Sequence, residues 1–116
     1  MSNKDFFEAN LGKWTFDPQI QHFFSDGLYA KQFFVPKDHL VCQHSHEYSH
    51  LSILAKGSVI LKTDDYNIQY NAPACIEIKK GVHHQIIALE DTVWYCIHQT
   101  NEKDVNKIDE VLIGKV

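Results

Sequence analysis

Histidine is the residue type in this sequence whose number and spacing point most directly to chemistry. Eight of the 116 residues are histidines, and five of these lie in two short clusters. The first cluster holds His44, His46 and His50, and the second is the adjacent pair His83 and His84. Neutral imidazoles bind borderline transition metals at about 2.0–2.2 Å, and several buried together without an ion would leave ring nitrogens unsatisfied at about 1–3 kcal/mol each. The clusters therefore predict one divalent transition-metal site, with zinc, nickel or iron as the ion.

The spacing of the first cluster indicates how a β-strand could present its ligands. Side chains two residues apart on a strand point to the same face, so His44 and His46 project side by side. His50 follows across a polar stretch that can turn or bulge back to the same interior. Glu47 is the alternative third ligand, although strand parity from His46 sends it to the opposite face. Only one member of the adjacent pair in the second cluster can face inward.

The rest of the chain must supply the strands that position these histidines. Short apolar stretches alternate with turn residues at nearly regular intervals, which is typical of a β-sandwich or barrel. The predicted strands cover residues 27–35, 40–46, 51–55, 58–62, 68–70, 74–78, 83–89 and 92–98. About nine strands are expected in all. Closing the sheet removes exposed edges, so we predict one all-β antiparallel barrel over about residues 14–98 within a single domain of residues 1–116.

One segment after the barrel has a helical pattern. Asn101 can cap a helix, with Asp104 as its capping-box partner, so a short C-terminal helix is predicted over about residues 101–113. An apolar face that could lie against the barrel is formed by Val105, Ile108, Val111 and Leu112.

Composition narrows the class of partner. The net charge is −4, from 11 lysines and 15 acidic residues, and the chain contains no arginine. Such a surface disfavours nucleic acid and anionic membranes. The N-terminus has no long apolar segment of a signal peptide, and no stretch is long enough to span a bilayer, so a cytoplasmic location is expected. The three cysteines are predicted to be buried, reduced thiols.

The first histidine cluster resembles the first motif of the cupin superfamily, G-x5-H-x-H-x3,4-E-x6-G. The chain reads His44-x-His46-x3-His50-x6-Gly57, which matches the spacing as far as the closing glycine. It departs from the motif at two positions, because His50 replaces the glutamate and Asp38 replaces the opening glycine.

The second cluster resembles the G-x2-H part of the second cupin motif through Gly81 and His84. The resemblance implies a cupin-type double-stranded β-helix, or jelly roll. It also implies that His84 is the inward ligand, which completes the candidate metal set of His44, His46, His50 and His84.

Two kinds of function are compatible with such a site. A metal in an apolar barrel can polarise a carbonyl, acidify a bound water or hold a chelated substrate, and the cupin resemblance implies a dioxygenase, lyase, isomerase or cyclase. A positively charged centre favours a small anionic or enolisable metabolite, with His98, Tyr48 and Glu47 as candidate catalytic acids and bases. The alternative is a non-catalytic module that binds or senses a metal or small ligand.

Face parity adds neighbours to the proposed pocket. Trp94, Cys96 and His98 share one face of the last strand, and Cys42 shares a face with His44 and His46.

The aromatic residues before the barrel predict an assembly. Phe6, Phe7, Trp14 and Phe16 are more aromatic surface than one small domain needs, so a homodimer that buries this segment is expected.

Overall fold

A computed structural model describes residues 16–43 and 48–108, and these residues form nine β-strands. The strands are β1 (Gln21–Ser25), β2 (Leu28–Val35), β3 (Leu40–Gln43), β4 (His50–Lys56), β5 (Ser58–Lys62), β6 (Asn67–Asn71), β7 (Ala74–Ile78), β8 (His84–Ala88) and β9 (Thr92–Gln99). β1 is the one strand of this set that the sequence pattern did not single out.

The nine strands form two antiparallel sheets. One sheet has five strands in the order β1-β2-β9-β4-β7, and the other has four in the order β3-β8-β5-β6. Strands that are neighbours in a sheet are often distant in sequence, as β2 and β9 are, which is characteristic of a jelly roll. The prediction of an all-β antiparallel architecture is confirmed.

The core lies between the two sheets and is built from alternating side chains. Along β9, every second side chain from Thr92 to His98 is buried, and those between are half-buried. The core includes the fully buried Trp94, Phe33, Leu54 and Ile86. Removing each such side chain from water contributes about 2–3 kcal/mol, which holds the sheets face to face.

Two motif positions have backbone conformations that explain their residue types. Gly57, between β4 and β5, has a φ of +95°, and a Cβ at this position would lie 2.5 Å from the Asp91 carbonyl oxygen. Asp38, where the cupin motif has its opening glycine, has a φ of +69°. Aspartate is among the few residues other than glycine that tolerate this left-handed region.

Residues 101–104 are not helical, so the C-terminal helix predicted over residues 101–113 does not begin at Asn101. The Asn106 amide donates to the Asp104 carboxylate at 2.8 Å, and the Ile108 amide donates to the Asp104 carbonyl at 3.0 Å. Asp104 therefore caps the first turn, in place of Asn101. Ile108 is fully buried, as its place on the predicted apolar face requires, whereas Val105 is half exposed. Residues 109–113 of the predicted helix lie outside the described residues.

No helix within the described residues is long and apolar enough to cross a membrane. Of the aromatic segment predicted to lie in a dimer interface, Phe6, Phe7 and Trp14 fall outside the described residues. Phe16 is described, and it packs against the core of its own chain.

Candidate metal centre

Three adjacent strands align the inward-facing side chains of the five-stranded sheet in rows. Tyr29 on β2 pairs with His98 on β9, and the register of β9 with β4 places His50 beside His98. Two residues along the strands, a second inward row begins, in which Cys96 pairs with Lys31 on β2 and with Ser52 on β4. Directly paired residues of antiparallel strands share a face, so both rows point into the barrel.

His50, Cys96 and His98 form a compact buried group. One ligand atom from each lies within 4.8 Å of the others. The two imidazole rings stack with centroids 4.4 Å apart and planes 30° apart. His50 is 6% exposed, Cys96 is 6% exposed and His98 is 3% exposed.

A tyrosine hydroxyl orients the ring of His98. The Tyr48 hydroxyl lies 3.2 Å from Nδ1 of His98, and the two rings meet edge to face. If Nδ1 carries the proton it donates to this hydroxyl, which leaves the Nε2 lone pair available to an ion. Burial raises the pKa of Tyr48 to about 12, so its phenol stays protonated at neutral pH. Tyr48 is therefore suited to hydrogen bonding and unsuited to removing a proton.

A serine performs the corresponding role for the thiol. The Ser52 hydroxyl, which is fully buried, donates to Sγ of Cys96 at 3.8 Å. A donor aimed at sulfur stabilises the thiolate, which is the form that binds metals.

Tyr29 and His22 support the group from the side of β2 and β1. The Tyr29 ring stacks on His98 with centroids 6.2 Å apart, and its hydroxyl lies 2.7 Å from Nδ1 of His22. Tyr29 is 1% exposed and also packs against Ile108, which is fully buried.

The group of His50, Cys96 and His98 fits a transition-metal ion. Ligand atoms around one tetrahedral ion lie about 3.3–3.8 Å apart, so a side-chain shift of about 1 Å brings the three donors to binding distance. Two imidazoles and one thiolate suit zinc, copper or cobalt and do not suit magnesium or calcium. A divalent ion held by this set keeps one net positive charge.

The predicted metal ligands His50 and His84 lie in different sheets. His50 belongs to the group, while His84 is 1% exposed at the start of β8 in the facing sheet. Among the described residues, the compact His and Cys group does not include His84. His44, His46 and Glu47 lie outside the described residues.

The alternation of side chains along β3 bears on whether His44 and His46, which follow it, can face the core. Val41 pairs with Ile86 and faces the core, whereas Cys42 is buried on the opposite face, paired with Gln85. The expectation that Cys42 lines the pocket is therefore wrong. For His44 and His46 to face the core, as the motif interpretation requires, the alternation of side chains must change after Gln43.

Cys96 belongs to the candidate metal group although the sequence does not indicate it. Face parity places it on the same face as His98, but an isolated cysteine in an apolar strand predicts only a buried, reduced thiol. Its pairing with Ser52 on β4 brings it to His50, and no local pattern encodes that register.

Comparison with solved structures identifies the fold. A cupin-2 domain containing protein from Shewanella frigidimarina is 19% identical, with a TM-score of 0.61, over 86% of this chain and 94% of that chain. A cupin 2 domain-containing protein from Halorhodospira halophila is 16% identical, with a TM-score of 0.64, over 85% of this chain and 78% of that one. A cupin superfamily protein from Desulfitobacterium hafniense is 14% identical, with a TM-score of 0.60, over 75% and 83%.

These comparisons show that the chain has the cupin fold, as the resemblance of the histidine motifs implied. Identities this low show the fold alone. No protein-family model matches the chain. No curated protein matches it either. Within this fold, the described residues include a buried His and Cys group that allows a metal ion.

Proposed function

We propose that the protein is a metal-dependent enzyme that holds one divalent transition metal at His50 and acts on a small anionic or enolisable metabolite. The observation that carries the proposal is the buried group of His50, Cys96 and His98. Bound there, the ion would supply Lewis acidity to a substrate oxygen or to a water molecule. Reactions of the dioxygenase, lyase, isomerase or cyclase type are all compatible with this chemistry.

The charges around the group support an anionic substrate. Lys31 is half-buried on the inward row beside Cys96, so its ammonium group adds to the net positive charge of a metal bound by two imidazoles and a thiolate. A second positive charge near the metal favours a carboxylate or an enolate over a neutral ligand. The Tyr48 phenol can donate a hydrogen bond to the same ligand. Glu47 remains a proposed acid–base residue, and His98 keeps that proposed role only with the motif ligand set, in which it does not bind the ion.

Two ligand sets share His50, and a metal-uptake experiment separates them. Protein purified without an affinity tag is loaded with cobalt(II), and the bound metal is measured by elemental analysis. With Cys96 as a ligand, wild type shows sulfur-to-cobalt charge-transfer absorption that Cys96→Ser removes, and His50→Ala and His98→Ala lose uptake. With the motif set of His44, His46, His50 and His84, His84→Ala loses uptake and Cys96→Ser does not.

The matched control is His39→Ala. His39 is half-buried, and its Nδ1 lies 3.1 Å from the Lys37 carbonyl oxygen, away from the inward rows. We expect full metal uptake by this variant. Wild-type protein that takes up no stoichiometric transition metal would contradict the proposal as a whole.

A non-catalytic binding or sensing module is the second candidate, and the burial of all three side chains in the group favours it. A closed site has no position for substrate, whereas a catalytic site keeps one open. Titrating the cobalt-loaded protein with oxalate separates the two. A spectral change at saturating oxalate supports an open, catalytic site, and an unchanged spectrum supports the module.

A cytoplasmic location and a homodimer remain part of the proposal. All three cysteines are free thiols, which suits a reducing compartment. Cys42 and Cys96 are buried as predicted, but the prediction is wrong for Cys75, which is exposed on the edge strand β7.

A further inference from the structure

Three turns meet at one end of the barrel and form the walls of a cleft of about 340 Å³. They are the turns between β2 and β3, between β4 and β5, and between β8 and β9. The residues that line the cleft are Lys37, Lys56, Gly57, Glu90 and Asp91. Because the candidate metal group lies at the start of β4 and the cleft lies at its end, about 20 Å of strand separates the two. The cleft is therefore distinct from the candidate metal centre.

Hydrogen bonds and a close backbone contact hold the three turns together. The Lys37 amide donates to Asp91 Oδ1 at 3.0 Å, which ties the first turn to the third. The Leu89 amide donates to the Ser58 carbonyl oxygen at 2.8 Å, which ties the third turn to the second. Gly57 approaches the third turn so closely that a Cβ there would lie 2.5 Å from the Asp91 carbonyl oxygen. The backbone therefore fixes where the four charged residues of the cleft begin.

Both signs of charge line the cleft. Lys37 and Lys56 supply two ammonium groups, and Glu90 and Asp91 supply two carboxylates. Within residues 16–43 and 48–108, no ion pair joins either of these lysines to either of these carboxylates. Opposite charges that face one cleft without pairing are available to a ligand that carries both signs.

We propose that this cleft binds a small zwitterion, namely an amino acid whose ammonium and carboxylate groups lie at opposite ends. Its carboxylate pairs with the ammonium groups of Lys37 and Lys56, and its ammonium group pairs with the carboxylates of Glu90 and Asp91. The two carboxylates of the cleft repel a ligand that is only anionic, and the two lysines repel one that is only cationic. This binding does not depend on a metal ion.

The volume of the cleft suits such a ligand. Sites for small molecules begin at about 300 Å³, and a sphere of the volume of this cleft is about 9 Å across. An extended amino acid with four carbons is about 6–7 Å long, so it spans most of that distance. All four charged side chains are exposed, so water and salt weaken each charge pair. We therefore expect a dissociation constant of about 1–10 mM.

The test is a titration of nitrogen-15-labelled full chain with 4-aminobutyrate, monitored by the amide shifts of Lys37, Gly57 and Asp91 in heteronuclear NMR spectra. Butyrate and butylammonium are matched probes, because each keeps the carbon chain and only one of the two charges. We expect saturable shifts with 4-aminobutyrate and binding about 5-fold weaker, or weaker still, with either matched probe. Metal-free and metal-loaded protein should give the same dissociation constant.

Substitutions that each remove one charge locate the ligand. Lys56→Met removes an ammonium group, and Glu90→Gln removes a carboxylate at nearly constant volume. Each should weaken 4-aminobutyrate binding by about 3–5-fold. Lys62→Met is the control, because Lys62 lies at the end of β5 that is far from the cleft, and it should bind as wild type does. If either cleft variant does not fold, Lys37→Met replaces it.

Any one of three results would overturn the proposal. The first is the absence of saturable shifts in the cleft amides at 4-aminobutyrate concentrations up to about 100 mM. The second is binding of butyrate as tight as that of 4-aminobutyrate, which would make the cleft a simple anion site. The third is unchanged affinity in both Lys56→Met and Glu90→Gln, which would place the ligand elsewhere.

Discussion

Replacing Gly57 by alanine tests why the first motif closes on a glycine. The φ of +95° disfavours any L-residue by about 1 kcal/mol. The added Cβ would also lie 2.5 Å from the Asp91 carbonyl oxygen and 2.7 Å from Thr92 Oγ1, so the backbone of the β8–β9 turn must move. Overpacking against fixed backbone adds about 2 kcal/mol, for a total loss of about 3 kcal/mol of unfolding free energy.

Gly81→Ala is the matched control for this substitution. Gly81 has a φ of +73°, but a Cβ there meets nothing within 4 Å, so only the cost of about 1 kcal/mol applies. The entropy of unfolding 116 residues is about 0.24 kcal/mol per K. The loss in Tm is the loss in unfolding free energy divided by this entropy, about 12 °C for Gly57→Ala and about 4 °C for Gly81→Ala. Differential scanning calorimetry measures both. Equal losses in the two variants would refute the steric part of the reasoning.

The remaining predictions concern the interior and the thiols. Tyr48→Phe removes the hydroxyl from Nδ1 of His98 and should weaken metal affinity by about 10–100-fold in competition with a chromophoric chelator; unchanged affinity would dismiss this orienting role. Lys31→Met should weaken oxalate binding to the cobalt-loaded protein by about 10-fold with metal affinity kept, whereas a loss of metal alone would contradict its assignment as an anion contact. Disulfide reagents at pH 8 should modify Cys75 quickly and Cys42 only on unfolding, because burial raises the pKa of the Cys42 thiol; equal rates would count against its burial.

The positions of the strands along the chain could be predicted only in part. Turns at Gly27, Gly57 and Gly81 and the alternation of β9 are local features, so the sequence indicates where most strands begin and end. β1 lacks such a pattern, because Phe23 and Phe24 are adjacent and one of them must face outward. Its strand conformation comes from pairing with β2 along the whole of its length.

The candidate site shows the same division between local and long-range information. The sequence alone supplied the imidazoles, the shared face of Trp94, Cys96 and His98, and the resemblance to a fold that the structure confirms, which in turn implied that His84 faces inward. All of these inferences depend on spacing within short stretches of chain, and the shared face follows from the two-residue period of a strand.

Only the tertiary structure decided which of these side chains meet. Cys96 is 46 residues from His50 in sequence, and the antiparallel register of β4 with β9 makes them neighbours. Register is set by how whole strands bury their apolar faces against the opposing sheet, and that energy is spread over the entire core. No short motif records it, so the thiol beside the two imidazoles becomes visible only once the barrel has closed.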